Sequence, residues 1–142
     1  VTMAVKAPET LAHLHYWTVE LTRPAAKEEV LDAFRGSTRI APIRMDDGLT
    51  ALNAVKELMA DLGRPHDNLY EVALWTDMLK VEGTELFYAY MVDNQAIVIP
   101  ETIDAIRALT EAEADASVSI ERTNEALGIT GDLTSLSRVA EE

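Results

Sequence analysis

From Ala12 to Leu21 the chain runs Ala-His-Leu-His-Tyr-Trp-Thr-Val-Glu-Leu, with no glycine or proline. The stretch from Leu14 to Val19 is crowded with aromatic and β-branched side chains, the types that fit a pleated, half-buried strand. A strand this long makes a sheet the frame to which the rest of the chain must be fitted.

A shorter strand is predicted before it, over residues 2–7, with Pro8 to Thr10 as the break. After it, Ala26, Val30, Ala33 and Phe34 recur at helical spacing, and Gly36 ends that helix. Residues 38–44 read as a strand. Pro42 lacks an N–H donor, so this strand belongs at a sheet edge or is irregular. The turn Asp46-Asp47-Gly48 leads into a second helix over 49–62, with Leu52, Val55, Met59 and Leu62 on one face and Gly63 and Pro65 as its stop. Residues 69–79 and 84–92 read as an antiparallel pair around Glu82-Gly83, followed by the polar interruption Asp93-Asn94-Gln95. Pro100 marks a helix start, with Ile103, Ile106 and Leu109 as its buried stripe, and a last helix covers 113–127 up to Gly128. The order predicts an α+β fold, a mostly antiparallel or mixed sheet with helices on one face. Residues 1–129 form one unit and 130–142 a frayed, polar tail.

A chain of 142 residues, 48% of them apolar, can bury a core, so a disordered reading fails. No apolar run approaches the roughly 18 residues that would span a bilayer. The opening Val1-Thr2-Met3-Ala4-Val5 has no signal-peptide pattern and reads as the inside of a strand, which predicts a piece cut from a longer chain. There is no cysteine, so disulfides, thiolate catalysis and Cys-ligated metal are excluded within this segment. No GxGxxG or Walker pattern occurs, so no dinucleotide or phosphate cradle is expected here. The net charge of −13, from 25 acidic and 12 basic residues, disfavours nucleic acid and anionic membrane as partners. It fits either a surface chosen for solubility or adaptation to strong salt, where like-charge repulsion is screened.

His13 and His15 are the most pointed residues, because alternate positions on a strand share a face. Three chemistries are open to the pair. They can ligate a metal, though no third ligand has suitable local spacing; one can serve as a general base; or both can be hydrogen-bonded structural side chains. His66 lies in a polar turn and takes no role. Arg39 and Arg44 flank the Pro42 strand, where ion pairing to the acidic surface is the commoner fate of arginine than anion binding. Trp17, Trp75, Tyr88 and Tyr90 fit core or interface positions better than a ligand cage.

Thr2-Met3-Ala4-Val5, followed by Pro8-Glu9-Thr10-Leu11-Ala12-His13-Leu14-His15, resembles the segment "TMAV…PTTLMHxH" of archaeal glyceraldehyde-3-phosphate dehydrogenases. The resemblance continues through Lys27 to Phe34, Asp47-Gly48-Leu49-Thr50, Asn68-Leu69-Tyr70-Glu71 with Trp75, and Ile99 to Arg107. It ends at Ile120-Glu121-Arg122-Thr123-Asn124-Glu125-Ala126-Leu127-Gly128-Ile129, against the family's "IxKTNxxLGI". It implies the C-terminal part of a catalytic domain built on a mostly antiparallel sheet, from an oxidoreductase of glycolysis and gluconeogenesis. The implied reaction takes glyceraldehyde 3-phosphate and inorganic phosphate, with NAD or NADP, to 1,3-bisphosphoglycerate.

In that chemistry a cysteine attacks the aldehyde, hydride leaves to the nicotinamide, and phosphate releases the acyl group. The first histidine of the "HxH" pair is the general base, which falls on His13, with His15 in a supporting role. The cysteine and a Rossmann domain that binds most of the NAD or NADP would precede Val1, so this segment alone is expected to be inactive. The family's "HQES" stretch appears here as Asp93-Asn94-Gln95-Ala96, which makes Asn94 a candidate contact for the nicotinamide carboxamide. Ala26 stands where the family often has a helix-capping threonine. The resemblance further implies a cytoplasmic homotetramer with no nucleic acid, membrane or metal, and with the acidic balance it suggests a haloarchaeal source. Two other readings are a free-standing α+β binding or oligomerisation module without chemistry, and a related semialdehyde dehydrogenase.

Overall fold

The computed structural model describes residues 12–133. The strand expected over 2–7, the break at Pro8 to Thr10 and most of the expected tail lie outside the described residues. Strand β1, Ala12–Glu20, is where the aromatic run placed it. Helix α1, Lys27–Arg35, starts behind Ala26, which offers no side-chain cap, as its missing oxygen dictates. Strand β2, Ile40–Ile43, is followed by a 3-10 turn closed by Gly48 at φ 84°, a left-handed geometry that suits glycine. Helix α2 spans Leu52–Asp61. Then come strand β3, Val72–Trp75, strand β4, Lys80–Glu82, strand β5, Glu85–Asp93, and helices α3, Val98–Leu109, and α4, Ala116–Leu127.

The sheet order is β1-β5-β3-β2, with β4 also paired to β5. β5 is antiparallel to β1 along its whole length, from Ala12 opposite Asp93 to Glu20 opposite Glu85. β3 and β4 share its other side, also antiparallel. Among the described residues only β2 and β3 run parallel, so the sheet is mixed and mostly antiparallel. β2 lies at the end of the order, where Pro42 removes no inner ladder bond.

Several expectations need correction. The helices do not share one face. Val30 and Leu31 of α1 pack with Leu74 and Leu86 on one side. Val55 and Met59 of α2 pack with Ala41, Ile43, Ala73, Trp75 and Met91 on the other. Alternate residues of β3 thus enter different cores, and Leu74 separates Ala73 from Trp75.

The strand expected over 69–79 is cut to β3 by a 3-10 turn, Thr76–Met78. The turn is pinned by its own polar groups. Asp77 accepts the Met45 N–H at 2.7 Å, and the Thr76 hydroxyl donates to the Ile43 carbonyl at 3.3 Å. The tight hairpin is therefore β4–β5, around Gly83.

The stripe on α3 also differs. Ile106 and Leu109 are exposed, at 54% and 84%. α3 is held instead through Asp104 and Arg107, which reach Ser119 and Thr123 of α4. α3 begins two residues before Pro100, within the first turn, where a missing N–H leaves no bond unmade. α4 starts later than expected, at a cap where Asp115 accepts the N–H groups of Ser117 and Val118.

α2 follows its sequence pattern: Val55 and Met59 are fully buried, and Leu52 and Leu62 pack beside them. Truncating Met59 to alanine would cost about 2–5 kcal/mol. Leu133, inside the stretch expected to be a tail, is fully buried in the same cluster.

Candidate active site

Backbone alternation puts His13, His15 and Trp17 on the face of β1 that also carries Tyr90 and Tyr88 of β5, since His15 pairs with Tyr90 and Trp17 with Tyr88. The rings form one continuous run. Phe34 of α1 meets Tyr88 at 5.4 Å, Tyr88 stacks with Tyr90 at 6.0 Å, and Tyr90 stacks with His15 at 4.9 Å and 11°. His15 then meets His13 nearly edge-on, at 5.9 Å and 74°. The indole N–H of Trp17 donates to the Tyr90 hydroxyl at 3.1 Å, fixing that phenol. Burial and the neighbouring Tyr90 hold the Tyr88 phenol above its ordinary pKa, so it stays neutral near pH 7. His13, at the end of this run, is exposed, and its ring meets His15 and makes no hydrogen bond among the described residues.

The register brings Asn94 to the same end of the sheet. Val92 is the strand partner of His13, and Asn94 begins the turn after Asp93. Asp93 is buried and builds that turn. One carboxylate oxygen accepts the N–H groups of Gln95 and Ala96, both at 3.0 Å, and its carbonyl accepts the Ile97 N–H at 3.0 Å. The other oxygen accepts from the Lys56 ammonium of α2 at 2.6 Å, and the same ammonium donates to the Asp67 carbonyl. Burial alone would raise the Asp93 pKa. The bonds from Lys56 and the two amides outweigh it and hold the carboxyl below its usual range. The Asn94 side chain is exposed, and among the described residues neither its amide hydrogens nor its oxygen is engaged. A free carboxamide of this kind suits another carboxamide, with one donor and one acceptor on each side.

The remaining candidates are bound elsewhere. The Arg39 guanidinium donates to Asn124 at 3.1 Å and to Glu101 at 2.6 Å, and also to Asp104, so each of its three nitrogens is already engaged and two carboxylates balance its charge. Arg44 pairs with Asp46 at 2.7 Å. His66 lies in a turn at φ 56° and is exposed. Among the described residues no cluster of three or more His, Cys, Asp or Glu could hold a metal ion. A groove between α1 and the Leu21–Ala25 segment is lined by Leu86, partner of Val19, and so lies toward the other end of β1 from His13.

Sequence reasoning missed the Lys56–Asp93 pair and the buried Arg64–Glu71 pair. Asp93-Asn94-Gln95 carried a usable signal, since aspartate two and three residues before backbone N–H groups is a turn former. Its cation, on another element, left no such trace.

No protein-family model matches the chain. The chain is 40% identical over 128 residues to the glyceraldehyde-3-phosphate dehydrogenase of Pyrococcus abyssi, covering 90% of this chain and 38% of that one. The enzyme of the same name from Methanopyrus kandleri is 41% identical over the same length, and glyceraldehyde-3-phosphate dehydrogenase 2 of Methanosarcina barkeri is 36% identical. The chain spans 37% to 38% of the length of these curated relatives. Over nine-tenths of its length it is thus similar to one stretch of archaeal glyceraldehyde-3-phosphate dehydrogenases.

Proposed function

We propose that this chain is the C-terminal part of the catalytic domain of a phosphorylating glyceraldehyde-3-phosphate dehydrogenase, with His13 as its general base. The observation that carries the reading is an exposed imidazole at the Asn94 end of the sheet, in a chain that matches such enzymes over 128 residues. The unit extends at least through Leu133, which is buried in the core with Val55 and Met59. The parent protein takes glyceraldehyde 3-phosphate and inorganic phosphate, works as a cytoplasmic homotetramer, and is salt-adapted and haloarchaeal.

The chain has no cysteine, so the thiol that attacks the aldehyde comes from the remainder of the parent. NAD or NADP, held mainly by a Rossmann domain in that remainder, supplies the hydride acceptor. His13 first takes the thiol proton, so that sulfur can attack the aldehyde carbon. It returns that proton to the alkoxide formed by the attack, giving a hydroxyl, and takes it back as the carbon loses hydride, leaving a thioester. A phosphate oxygen attacks the thioester carbonyl and the carbon–sulfur bond breaks. The run of rings ending at His15 meets His13 by packing, with no hydrogen bond to it among the described residues. Asn94 presents its carboxamide to that of the nicotinamide.

The test is His13→Asn in the full-length protein. The acylation rate should fall about 10²–10⁴-fold, the usual worth of a general base. Cofactor affinity should hold. Normal single-turnover hydride transfer in the variant would overturn the assignment.

A further inference from the structure

We infer that Asp93, held by Lys56, is a positioning residue for nicotinamide binding, acting through the turn that presents Asn94; this rests on the reading of Asn94 above. The backbone of the turn is pinned at Asp93, Gln95, Ala96 and Ile97, and the Asn94 side chain is left free. Asp93 is 1% exposed and has both carboxylate oxygens in use, one on two backbone amides of the turn and one on the Lys56 ammonium. Ala96, two residues beyond Asn94, is fully buried with Tyr70 and Ile129. The Ile97 N–H returns to the Asp93 carbonyl. Asn94 is therefore a free carboxamide on a rigid base, and a group held rigid in its binding geometry loses less freedom when it binds.

A neutral asparagine or serine could also hold such a turn. A buried charge carries a desolvation cost that a neutral residue avoids. What the charge adds is a strong, directional bond to Lys56, which ties the turn to α2 and to the Asp67 carbonyl. The position of Asn94 is thereby set by a helix on the opposite side of the sheet from His13, and not by the turn alone.

The experiment uses the full-length protein and two ligands, the dinucleotide NAD or NADP and the corresponding ADP-ribose, which lacks nicotinamide. Dissociation constants are measured by calorimetry, with no turnover involved. Asn94→Ala should weaken dinucleotide binding about tenfold, the size expected for losing a hydrogen bond or two, and leave ADP-ribose binding unchanged. Asp93→Ala should reproduce that pattern. Combining the two should add little, because both remove the same contact. Lys56→Met should act in the same direction, and it carries the comparison if Asp93→Ala does not fold. Lys56→Arg should keep most of the affinity.

If Asn94→Ala weakens binding but Asp93→Ala and Lys56→Met do not, the positioning role is wrong and the Asn94 reading survives. If the Asp93 and Lys56 variants weaken ADP-ribose as much as dinucleotide, their role is general stability and the inference fails. If Asn94→Ala binds dinucleotide normally, the Asn94 reading and the inference fall together.

Discussion

Arg64 grips the carboxylate of Glu71 with two parallel bonds, at 2.6 and 2.7 Å, where Glu71 is fully buried and the Arg64 side chain is only 7% exposed. The same guanidinium donates to the Gly128 carbonyl at 3.0 Å and lies over the Tyr70 ring. One side chain thus joins the stop of α2, the approach to β3 and the end of α4. Removing one partner leaves a charge buried alone. Arg64→Met should therefore destabilise the full-length protein by about 3–5 kcal/mol, and Arg64→Met with Glu71→Leu by much less. Urea titrations of the single and double variants would check this, and equal losses would contradict it.

Acid should weaken the fold through Asp93 and Asp104. Burial pushes the Asp104 pKa up. The hydroxyls of Ser119 and Thr123 and the charge of Arg39 more than offset it, so both carboxyls sit below their ordinary range. Groups with a depressed folded pKa give their full stabilisation above the unfolded value, about 3.9, and lose it as pH falls through the folded value. Unfolding free energy should be flat near neutrality and drop below about pH 4. Asp93→Asn should lower the plateau and flatten that drop. Denaturation midpoints measured between pH 2 and pH 7 would reveal either outcome.

Salt should stabilise the protein. With 25 acidic and 12 basic residues, like-charge repulsion reaches across the surface at low ionic strength, where the Debye length is about 30 Å, and is largely removed near 1 M, where it is about 3 Å. Melting temperature should rise from millimolar to molar KCl. A flat or falling curve would leave solubility as the reason for the acidic surface.

Gly131 and Gly83 both have positive φ, at 74° and 63°, yet they should not respond alike to alanine. At Gly131 a Cβ would meet the backbone of Thr38 at 3.0 to 3.1 Å, whereas at Gly83 it meets open space. Gly83→Ala should cost about 1–2 kcal/mol, the strain of the left-handed backbone. Gly131→Ala should cost clearly more, because backbone cannot yield as a side chain can. Thermal melts of the two variants make the comparison.

The chain by itself should not oxidise glyceraldehyde 3-phosphate with NAD or NADP, since it holds no thiol nucleophile. Turnover above the uncatalysed rate, in a preparation free of the full-length protein, would contradict the proposed division of roles.

Where one element's residues decide its own environment, the sequence was legible. Met59 and Val55 mark the buried face of α2 because that face packs by apolar contact. The same rule failed on α3, where Asp104 and Arg107 make the attachment and leave Ile106 and Leu109 outside. The face each helix takes was not legible either, since it depends on how connections cross the sheet. His13 and His15 could be found, because strand alternation is local. Lys56 and Asp93 could not be paired in advance, because they lie 37 residues apart and meet only through the fold.

The pairing of β1 with β5 also sets a timetable. Trp17 and Tyr90 are 73 residues apart, and no earlier strand among the described residues pairs with β1. At about 5–20 residues per second of synthesis, β1 would wait roughly 4 to 15 seconds for its partner. During that wait Leu14, Tyr16 and Trp17, apolar and still partly exposed after folding, are open to any other strand or chaperone. The histidine-bearing strand is made early in this chain and seated late, so slow or interrupted synthesis before β5 threatens the His13 end of the sheet first.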